Sequence, residues 1–402
     1  MRDDAILWVG PRREWTEPAT IRDWPGVLLP GLVNAHAHLE YCGYADKCVP
    51  GIDFLEWISG FLPRNQATTA AQWLKSARRG VAESLRHGVT CVADITGRPQ
   101  ALEVVAASGL AGVSYVEAVG ADDVRWPAVR DRLQDMLARA PATRITGVSP
   151  HALYTLGRTA LRECAEAARS RHLRLHLHVA ESPAESYYVT AGTGPFAAAN
   201  IRYGLDMELM RSGGSGRTPV AELAALGLLG PDVHVAHGVH VDGADRALLR
   251  SHATAVALCP RSNRTLGVGT APVAAYRAEG NQVAVGTDSL ASVPSLDVLA
   301  DVALLRELAL AQGSPESGLD RWLIEAATVG GARAIGQTDV GVLRPGARAD
   351  LAVINVAVAA GDDPYTAVVT GGAGQCVGTV LAGQVVHDRT GGDAATGVAD
   401  GW

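Results

Sequence analysis

Lysine is almost absent from this 402-residue chain. Lys47 and Lys75 are its two lysines, so arginine supplies nearly all of the basic charge. Acidic side chains outnumber basic ones by 42 to 35, and the formal net charge is −7. Nucleic-acid backbones and anionic membranes are themselves negative and would repel such a chain. We therefore expect neither of them as a partner.

Long apolar runs and paired cysteines are also missing. A charged residue or a glycine interrupts every apolar stretch within about 20 residues, the length that a membrane helix needs. No secretory leader is recognisable before the short apolar segment 5–9. The six cysteines form neither a CxxC pair nor a zinc-finger spacing. We expect mostly buried free thiols and a cytoplasmic protein.

The composition that remains is typical of a globular chain, with 48% hydrophobic and 19% charged residues. Its middle part alternates short apolar strands with helix-like segments such as 70–85 and 159–171, which indicates βα units and a parallel sheet. We predict a TIM-like (β/α)₈ barrel over residues 31–340, with an open doubly wound sheet as the alternative. The predicted strands are 32–38, 90–95, 112–118, 145–150, 173–179, 233–237, 255–258 and 283–288.

The two ends of the chain carry further strand patterns. These segments are 5–9, 27–29, 350–356, 377–381 and 384–386. Those at the N-terminal end are too few to fold alone. We therefore predict that residues 1–30 and 341–402 together form one small β-sandwich domain.

His36 and His38 end the first predicted barrel strand. Alternate side chains of a strand share a face, so these two imidazoles point the same way. Two neutral imidazoles that converge at a strand end make half of a transition-metal site. A strand with two incidental histidines is the alternative, and the rest of the chain must supply the missing ligands.

Titratable residues gather at the ends of five predicted strands or in the turns that follow. In a (β/α)₈ barrel these ends lie on one face, where the chemistry takes place. A lone histidine is more often structural, but agreement among five strands indicates a functional site. The other seven histidines, which include His176 and His234, are interpreted as structural. The candidates are His36, His38, His151, His178, Glu181, His237 and Asp288.

One region interrupts the regular spacing. The stretch between Glu181 and Pro231, chiefly residues 187–220, is longer than a barrel loop normally needs. It contains the glycine-rich segments 192–194 and 213–216. A lid over the barrel mouth and a tolerated surface insertion are both open interpretations.

Six segments resemble the amidohydrolase superfamily, specifically its mononuclear deaminase and chlorohydrolase branch. They occur in the superfamily's order over nearly the whole chain, and the segments 326–328, 330–332 and 341–350 are similar to its return into a β-sandwich. The superfamily usually has more sequence before the paired histidines, so we expect a reduced sandwich or a start codon set too far downstream. The segments are PGLVNAHAH (30–38), SPHALYT (149–155), HLHVAES (176–182), AHG (236–238), CPRSN (259–263) and GTDS (286–289).

The resemblance implies a role for each candidate residue. Glu181 and His237 would transfer protons and, with Asp288, orient the attacking water, and His151 would touch the substrate. Three neutral imidazoles and one carboxylate suit Zn²⁺, with Fe²⁺ and Mn²⁺ as alternatives. The implied ligands of the divalent metal ion are His36, His38, His178 and Asp288.

The scarcity of lysine bears on the number of ions. Binuclear members of the superfamily commonly bridge their two ions with a carboxylated lysine at the end of the fourth strand. The corresponding segment here, 145–156, contains no lysine. We therefore expect one ion.

Within the deaminases, Leu39-Glu40 and the segment FLEW (54–57) resemble the aminodeoxyfutalosine deaminases of menaquinone biosynthesis. The expected reaction releases ammonia from the adenine ring of a nucleoside whose sugar carries a benzoate-bearing chain. Related enzymes place a ribose-binding carboxylate shortly after the matching tryptophan, whereas segment 61–66 has none and offers a cation to the benzoate. The residues expected at the substrate are His151, Glu40, Trp57, Arg64 and Ser289.

Several other functions stay open from the sequence. Deaminases of S-adenosylhomocysteine, methylthioadenosine or adenosine are the first alternative, and guanine deaminases, cytosine deaminases and chlorohydrolases follow. A barrel that binds ligands without catalysis is a further class, although such a protein would be expected to lose ligands that this chain keeps. The expected partner is a small-molecule nucleoside, and a homodimer is left open.

Overall fold

The computed structural model describes residues 1–390. Eight parallel strands, each hydrogen-bonded to the next in chain order, run from β2 to β9. The described strands are β1 (Val27–Pro30), β2 (Leu32–Ala37), β3 (Val89–Thr96), β4 (Ala111–Ala118), β5 (Ile145–Pro150), β6 (Leu175–Val179), β7 (Val233–His237), β8 (Ala255–Leu258), β9 (Val283–Val285), β10 (Leu351–Ile354), β11 (Cys376–Leu381) and β12 (Gln384–Asp388).

The parallel sheet closes between its first and last strands. A parallel bridge joins Ala37 to Asp288, and the Asp288 amide donates to the His36 carbonyl oxygen at 3.0 Å. The predicted TIM-like barrel is therefore confirmed, and the alternative of an open sheet is wrong. All eight residues of β3 and all six of β2 are buried, as expected for barrel strands that are covered on both faces.

Helices surround the barrel. Those predicted over 70–85 and 159–171 are α3 and α6, and Thr69 and Gln72 begin α3 with a reciprocal capping box. The helices are α1 (Phe54–Ser59), α2 (Phe61–Ala67), α3 (Ala70–Arg86), α4 (Pro99–Ala107), α5 (Trp126–Ala138), α6 (Arg158–Arg169), α7 (Pro183–Ala191), α8 (Pro195–Arg202), α9 (Glu208–Arg211), α10 (Pro219–Ala225), α11 (Gly243–Ser251), α12 (Pro260–Thr265), α13 (Val273–Glu279), α14 (Val298–Ala311), α15 (Leu319–Ala326), α16 (Val329–Ala334) and α17 (Pro364–Gly371), with 3₁₀ segments at Arg12–Glu14 and Leu39–Lys47.

The predicted terminal module is an antiparallel sheet in the order β1-β10-β11-β12, so both ends of the chain contribute to it. The predicted hairpin joins β11 to β12. Segment 5–9, predicted as a strand, does not join this sheet, and Ala5 makes only isolated bridges with Arg2 and Arg348. The sandwich is thus reduced to one sheet within the described residues. Residues 391–402, which the prediction included, lie outside the described part.

The long segment after β6 packs against the barrel mouth. It folds into α7 to α10, with Phe196 and Asn200 buried. The Phe196 ring stacks on Tyr154 at 3.9 Å between centroids, and the Asn200 side-chain amide donates to the Tyr154 carbonyl oxygen at 3.0 Å. These contacts hold the segment against the loop after β5, and the lid over the mouth and the tolerated surface insertion both stay predictions.

Among residues 1–390, no helix combines the length and the apolar character that crossing a bilayer demands.

The packing of the segment after β6 predicts a stability effect. Phe196→Ala removes a buried ring and should lower the free energy of unfolding by about 3 kcal/mol, measured by urea denaturation. Tyr187→Ala, at a ring that is 63% exposed, is the matched control and should change it by less than about 0.5 kcal/mol. An unchanged midpoint for Phe196→Ala would contradict the packing described here.

Candidate active site

Strand β2 presents His36 and His38 at the mouth because its position is fixed at both sides. The Asn34 side-chain amide donates to the Thr287 hydroxyl at 2.7 Å, and its oxygen accepts from the Thr287 amide at 3.1 Å. Gly286 lies so close that a Cβ there would be 2.6 Å from the His36 Cβ. Glycine at this position therefore permits the close approach of β9 to His36.

A hydrogen-bond relay fixes the tautomer of His36. His176 Nδ1 lies 3.0 Å from the His234 carbonyl oxygen, which can only accept, so this nitrogen carries the proton. His176 Nε2 is then an acceptor, and it receives a hydrogen bond from His36 Nδ1 at 2.8 Å. His36 Nε2 is left without a proton, and this buried atom has no hydrogen-bond partner among residues 1–390. Such an orienting relay is common behind metal-ligating histidines.

His178 is oriented in the same manner. Its Nδ1 donates to the His151 carbonyl oxygen at 3.1 Å, so its Nε2 lacks a proton. That Nε2 lies 3.3 Å from His38 Nε2. Burial holds the pKa of His178 well below its ordinary value and lowers the pKa of His38 to about 4, so both rings are neutral at pH 7.

Asp288 completes this group at the end of the turn after β9. Its Oδ2 accepts hydrogen bonds from the Ser262 and Ser292 hydroxyls at 2.7 and 2.8 Å. Its Oδ1 faces the histidines, 3.9 Å from His36 Nε2 and 3.8 Å from His38 Nε2. The predicted ligand set is therefore brought together in one buried place.

These residues fit a divalent metal ion. The ligand nitrogens of His36, His38 and His178 all lie within 4.8 Å of one another. A cation between these nitrogens would use the unprotonated Nε2 atoms of His36 and His178, and the Nε2 of His36 has no hydrogen-bond partner among residues 1–390. The relay and the two serine hydroxyls hold the remaining ligand atoms in place, as the outer contacts of metal sites do.

Glu181 and His237 form a second pair beside the four residues. The His237 Nδ1 donates to the Asn263 side-chain oxygen at 3.0 Å, which leaves its Nε2 as an acceptor 3.6 Å from Glu181 Oε1. Burial, reinforced by the charges of Asp288 and Glu185, holds the pKa of Glu181 well above its ordinary value. Burial thus favours the protonated form of this carboxyl and the neutral form of the imidazole, both of them next to the metal-ligand group.

Two of the residues predicted to meet the substrate lie beside this centre. The His151 ring is 4.6 Å from the His178 ring between centroids, and its Nδ1 lies 3.0 Å from the Thr155 hydroxyl. Ser289 follows Asp288 directly, but it is buried and its hydroxyl accepts from the Ala291 amide at 3.3 Å. His151 is therefore the more accessible of the two.

The other three predicted substrate residues are already engaged. The Trp57 indole donates to the Ala291 carbonyl oxygen at 2.9 Å. The buried Glu40 carboxylate accepts from the Thr96 hydroxyl at 2.6 Å and from the Gly97 amide at 3.1 Å. Their roles at the substrate stay predictions.

The Arg64 guanidinium is engaged as well. It pairs with Asp46 at 2.6 Å, donates to the Gly43 carbonyl oxygen at 3.1 Å and lies over the Tyr44 ring at 4.1 Å. Its role at the substrate also stays a prediction.

The sequence interpretation missed residues that hold the site in place. His176, interpreted as structural, orients His36, and it could have been found because His176 and His178 repeat the alternation of His36 and His38. Glu117, a buried carboxyl near the end of β4, was also missed. Its position near a strand end, which singled out the histidines as candidates, could have indicated Glu117 as well. The oxygen of Asn263 and the hydroxyl of Ser292 gave no signal of their own.

Comparisons with known proteins identify the family of the chain. The model of the amidohydrolase family matches residues 27–386. A 5-methylthioadenosine/S-adenosylhomocysteine deaminase of Halobacterium salinarum is 35% identical over 82% of this chain and 73% of its own. An aminodeoxyfutalosine deaminase of Deinococcus radiodurans is 32% identical over 81% of this chain and 77% of its own.

A solved structure shares the fold. The adenosine deaminase of Xanthomonas campestris with bound zinc superposes with a TM-score of 0.74 at 24% identity, over 92% of this chain and 83% of its own. The family match spans both sheets and every residue of the metal-ligand group. The chain belongs to the amidohydrolase family and is a hydrolase of carbon–nitrogen bonds.

Proposed function

We propose that this protein is a zinc-dependent deaminase of the adenine ring of a nucleoside. The observation that carries the proposal is the convergence of His36, His38 and His178 on Asp288, with Glu181 and His237 beside them. The relatives at 35% and 32% identity are both named as deaminases of adenine nucleosides, which favours this reaction over other carbon–nitrogen hydrolyses.

His36, His38, His178 and Asp288 would hold one zinc ion. When bound, the ion supplies a Lewis acid that makes water a stronger nucleophile at neutral pH. The absence of lysine from segment 145–156 supports a single ion, because no side chain there can form a carbamate bridge. The Asp288 carboxylate, held by two serine hydroxyls at Oδ2, keeps its Oδ1 directed at His36 and His38.

Residues of the chain transfer the protons of the reaction and orient the water. Water adds to the amino-bearing ring carbon and gives up two protons in the course of the reaction. One replaces the proton that Glu181 gives to the ring, and the other reaches the amino group, so that the carbon–nitrogen bond breaks and ammonia leaves to give the 6-oxopurine. Glu181 gives a proton to the adjacent ring nitrogen, since burial favours its protonated form. His237 has an unprotonated Nε2 that can accept a hydrogen bond from the attacking water and orient it.

Aminodeoxyfutalosine is the substrate that we propose, and S-adenosylhomocysteine is the alternative. Both carry a carboxylate, which needs a cation near the barrel mouth. Arg64, the choice from the sequence, is occupied by Asp46. Arg98 follows β3, lies over the Trp73 ring at 4.6 Å, and has a guanidinium without hydrogen bonds or ion pairs among residues 1–390. Arg98 is therefore the better candidate for this contact.

The proposed activity is tested by incubating the purified protein with a panel of adenine nucleosides. We expect ammonia release and loss of the adenine absorbance, both abolished by a chelator and restored by zinc. His178→Ala should lose metal and activity together, since three remaining ligands rarely hold a catalytic ion well. Full activity in protein shown to be free of metal would refute the proposal.

Glu181→Gln tests the proton transfer. The substitution keeps the size of the side chain but cannot supply the proton, so kcat should fall by about 10²-fold or more. The metal content, measured by elemental analysis, should stay at the wild-type value. Loss of metal from a folded Glu181→Gln variant would instead make Glu181 a ligand.

Arg98→Ala and Arg64→Ala form a matched pair for the substrate carboxylate. A charge-assisted contact contributes about 1.5 to 3 kcal/mol, so Arg98→Ala should lower kcat/KM for aminodeoxyfutalosine by about tenfold to a hundredfold. Methylthioadenosine, which has no carboxylate, should be nearly unaffected. If Arg64→Ala lowers kcat/KM for aminodeoxyfutalosine more than Arg98→Ala does, and again spares methylthioadenosine, the contact belongs to Arg64. A wild-type preference for methylthioadenosine would overturn the proposed substrate.

A further inference from the structure

Glu117 is a buried carboxyl at the mouth that the mechanism does not use. It lies near the end of β4 and is only 8% exposed. One carboxylate oxygen lies within 4.8 Å of ring nitrogens of both His151 and His178. Its Oε1 has no hydrogen-bond partner among residues 1–390, and the side chain makes no ion pair with them. A buried acceptor in this state costs free energy unless something outside the chain satisfies it.

Each of the other buried carboxyls around the mouth has a partner or a role. Glu40 accepts from Thr96 and Gly97, and Asp94 accepts from the Leu39 amide at 3.0 Å. Asp288 is held by two serine hydroxyls, as described above. The Glu185 carboxylate accepts from the Glu181 amide at 3.0 Å. Asp94 Oδ2 and Glu185 Oε1 also lack a partner among residues 1–390, but the other oxygen of each accepts the bond just named. Glu117 differs because neither of its oxygens accepts a hydrogen bond from these residues, and it lies beside His151 and His178.

A second metal ion does not explain Glu117. His178 donates its Nδ1 proton to a backbone carbonyl, so only its Nε2 can ligate an ion. That nitrogen already faces His38 at 3.3 Å. Glu117 and His151 alone would leave two protein ligands, fewer than a divalent ion is usually given.

We propose that Glu117 is a specificity-determining residue whose carboxyl accepts a hydrogen bond from an N–H or O–H donor of the substrate. The inference rests on the proposed function, because an adenine nucleoside brings such donors to this place. They are the amino group on the reacting carbon and the hydroxyls of the sugar. A site built to accept a hydrogen bond discriminates against analogues that lack the donor, since its buried acceptor is then left unpaired.

Two variants of Glu117 separate acceptance of a hydrogen bond from other roles. Glu117→Leu removes the acceptor, and kcat/KM for adenosine should fall by about tenfold to a hundredfold. Glu117→Gln keeps an acceptor oxygen and should retain most of the activity. The melting temperature of Glu117→Leu should equal or exceed that of the wild type, because an unsatisfied polar group is removed. The exposed Glu103 on α4 provides the matched control, and Glu103→Leu should change none of these values.

Substrate analogues identify the donor. If the sugar donates, 2′-deoxyadenosine or 3′-deoxyadenosine should be turned over equally by Glu117→Leu and the wild type. If the amino group donates, Glu117→Leu and the wild type should turn over 6-chloropurine riboside equally. In that substrate chloride replaces the amino group, and water displaces it. Either pattern supports the proposal, and an equal loss on every substrate would overturn it.

Two further outcomes are diagnostic. Loss of metal from Glu117→Leu, or two ions in the wild type and one in the variant, would make Glu117 a ligand and overturn the proposal. A wild type that releases ammonia from no nucleoside would overturn the proposed function and this inference with it. If the wild type turns over nucleosides normally and Glu117→Leu loses the same fraction of activity on all of them, this inference alone is overturned.

Discussion

Buried imidazole nitrogens that converge inside a closed barrel are the constraint on which this structure depends. His36, His38 and His178 are all buried, and two of their Nε2 atoms are 3.3 Å apart. Lone pairs at this distance repel unless a proton or a cation lies between them. The low pKa values keep all three rings neutral, so their nitrogens can serve as ligands of a metal ion.

The surrounding structure holds these nitrogens at a cost in backbone conformational energy. His237 and Asp288, at the ends of β7 and of the turn after β9, have φ angles of +72° and +65°. This left-handed region is unfavourable for residues other than glycine, by about 1 to 3 kcal/mol each. The hydrogen bond from Asp288 to the His36 backbone closes the barrel, and the same turn presents the Asp288 carboxylate. Barrel closure and ligand placement are therefore achieved by the same contacts.

Much of the fold and of the site could be predicted from the sequence, because local patterns determine both. The apolar strands recur at a spacing that forces βα units, and β5, β7 and β8 have the predicted bounds. The position of the histidines and Asp288 at or just after strand ends indicated the site, because a barrel brings these ends together on one face regardless of its loops. The absence of lysine after β5 was equally visible in the sequence.

What the sequence could not supply are contacts between distant segments. The pairing of Arg64 with Asp46 depends on how α2 packs against the 3₁₀ segment 39–47, so an arginine that looked available is occupied. The hydrogen bonds of His176 and Asn263 depend on ring tautomers and on neighbouring strands. Segment 5–9 has a strand's composition, but Ile6 packs in a small cluster with Ala347 and Ala349 instead of extending the sheet. The position of Glu117 near a strand end could be read from the sequence, but its lack of a partner could not.

We propose that one metal ion is bound by three histidines and one aspartate. Anomalous diffraction from crystals of the zinc-loaded protein, recorded on both sides of the zinc absorption edge, tests it most directly. We expect one strong peak per chain, in contact with His36, His38, His178 and Asp288. A peak bounded by Glu117, His151 and His178, or no peak in an active crystal, would contradict the account.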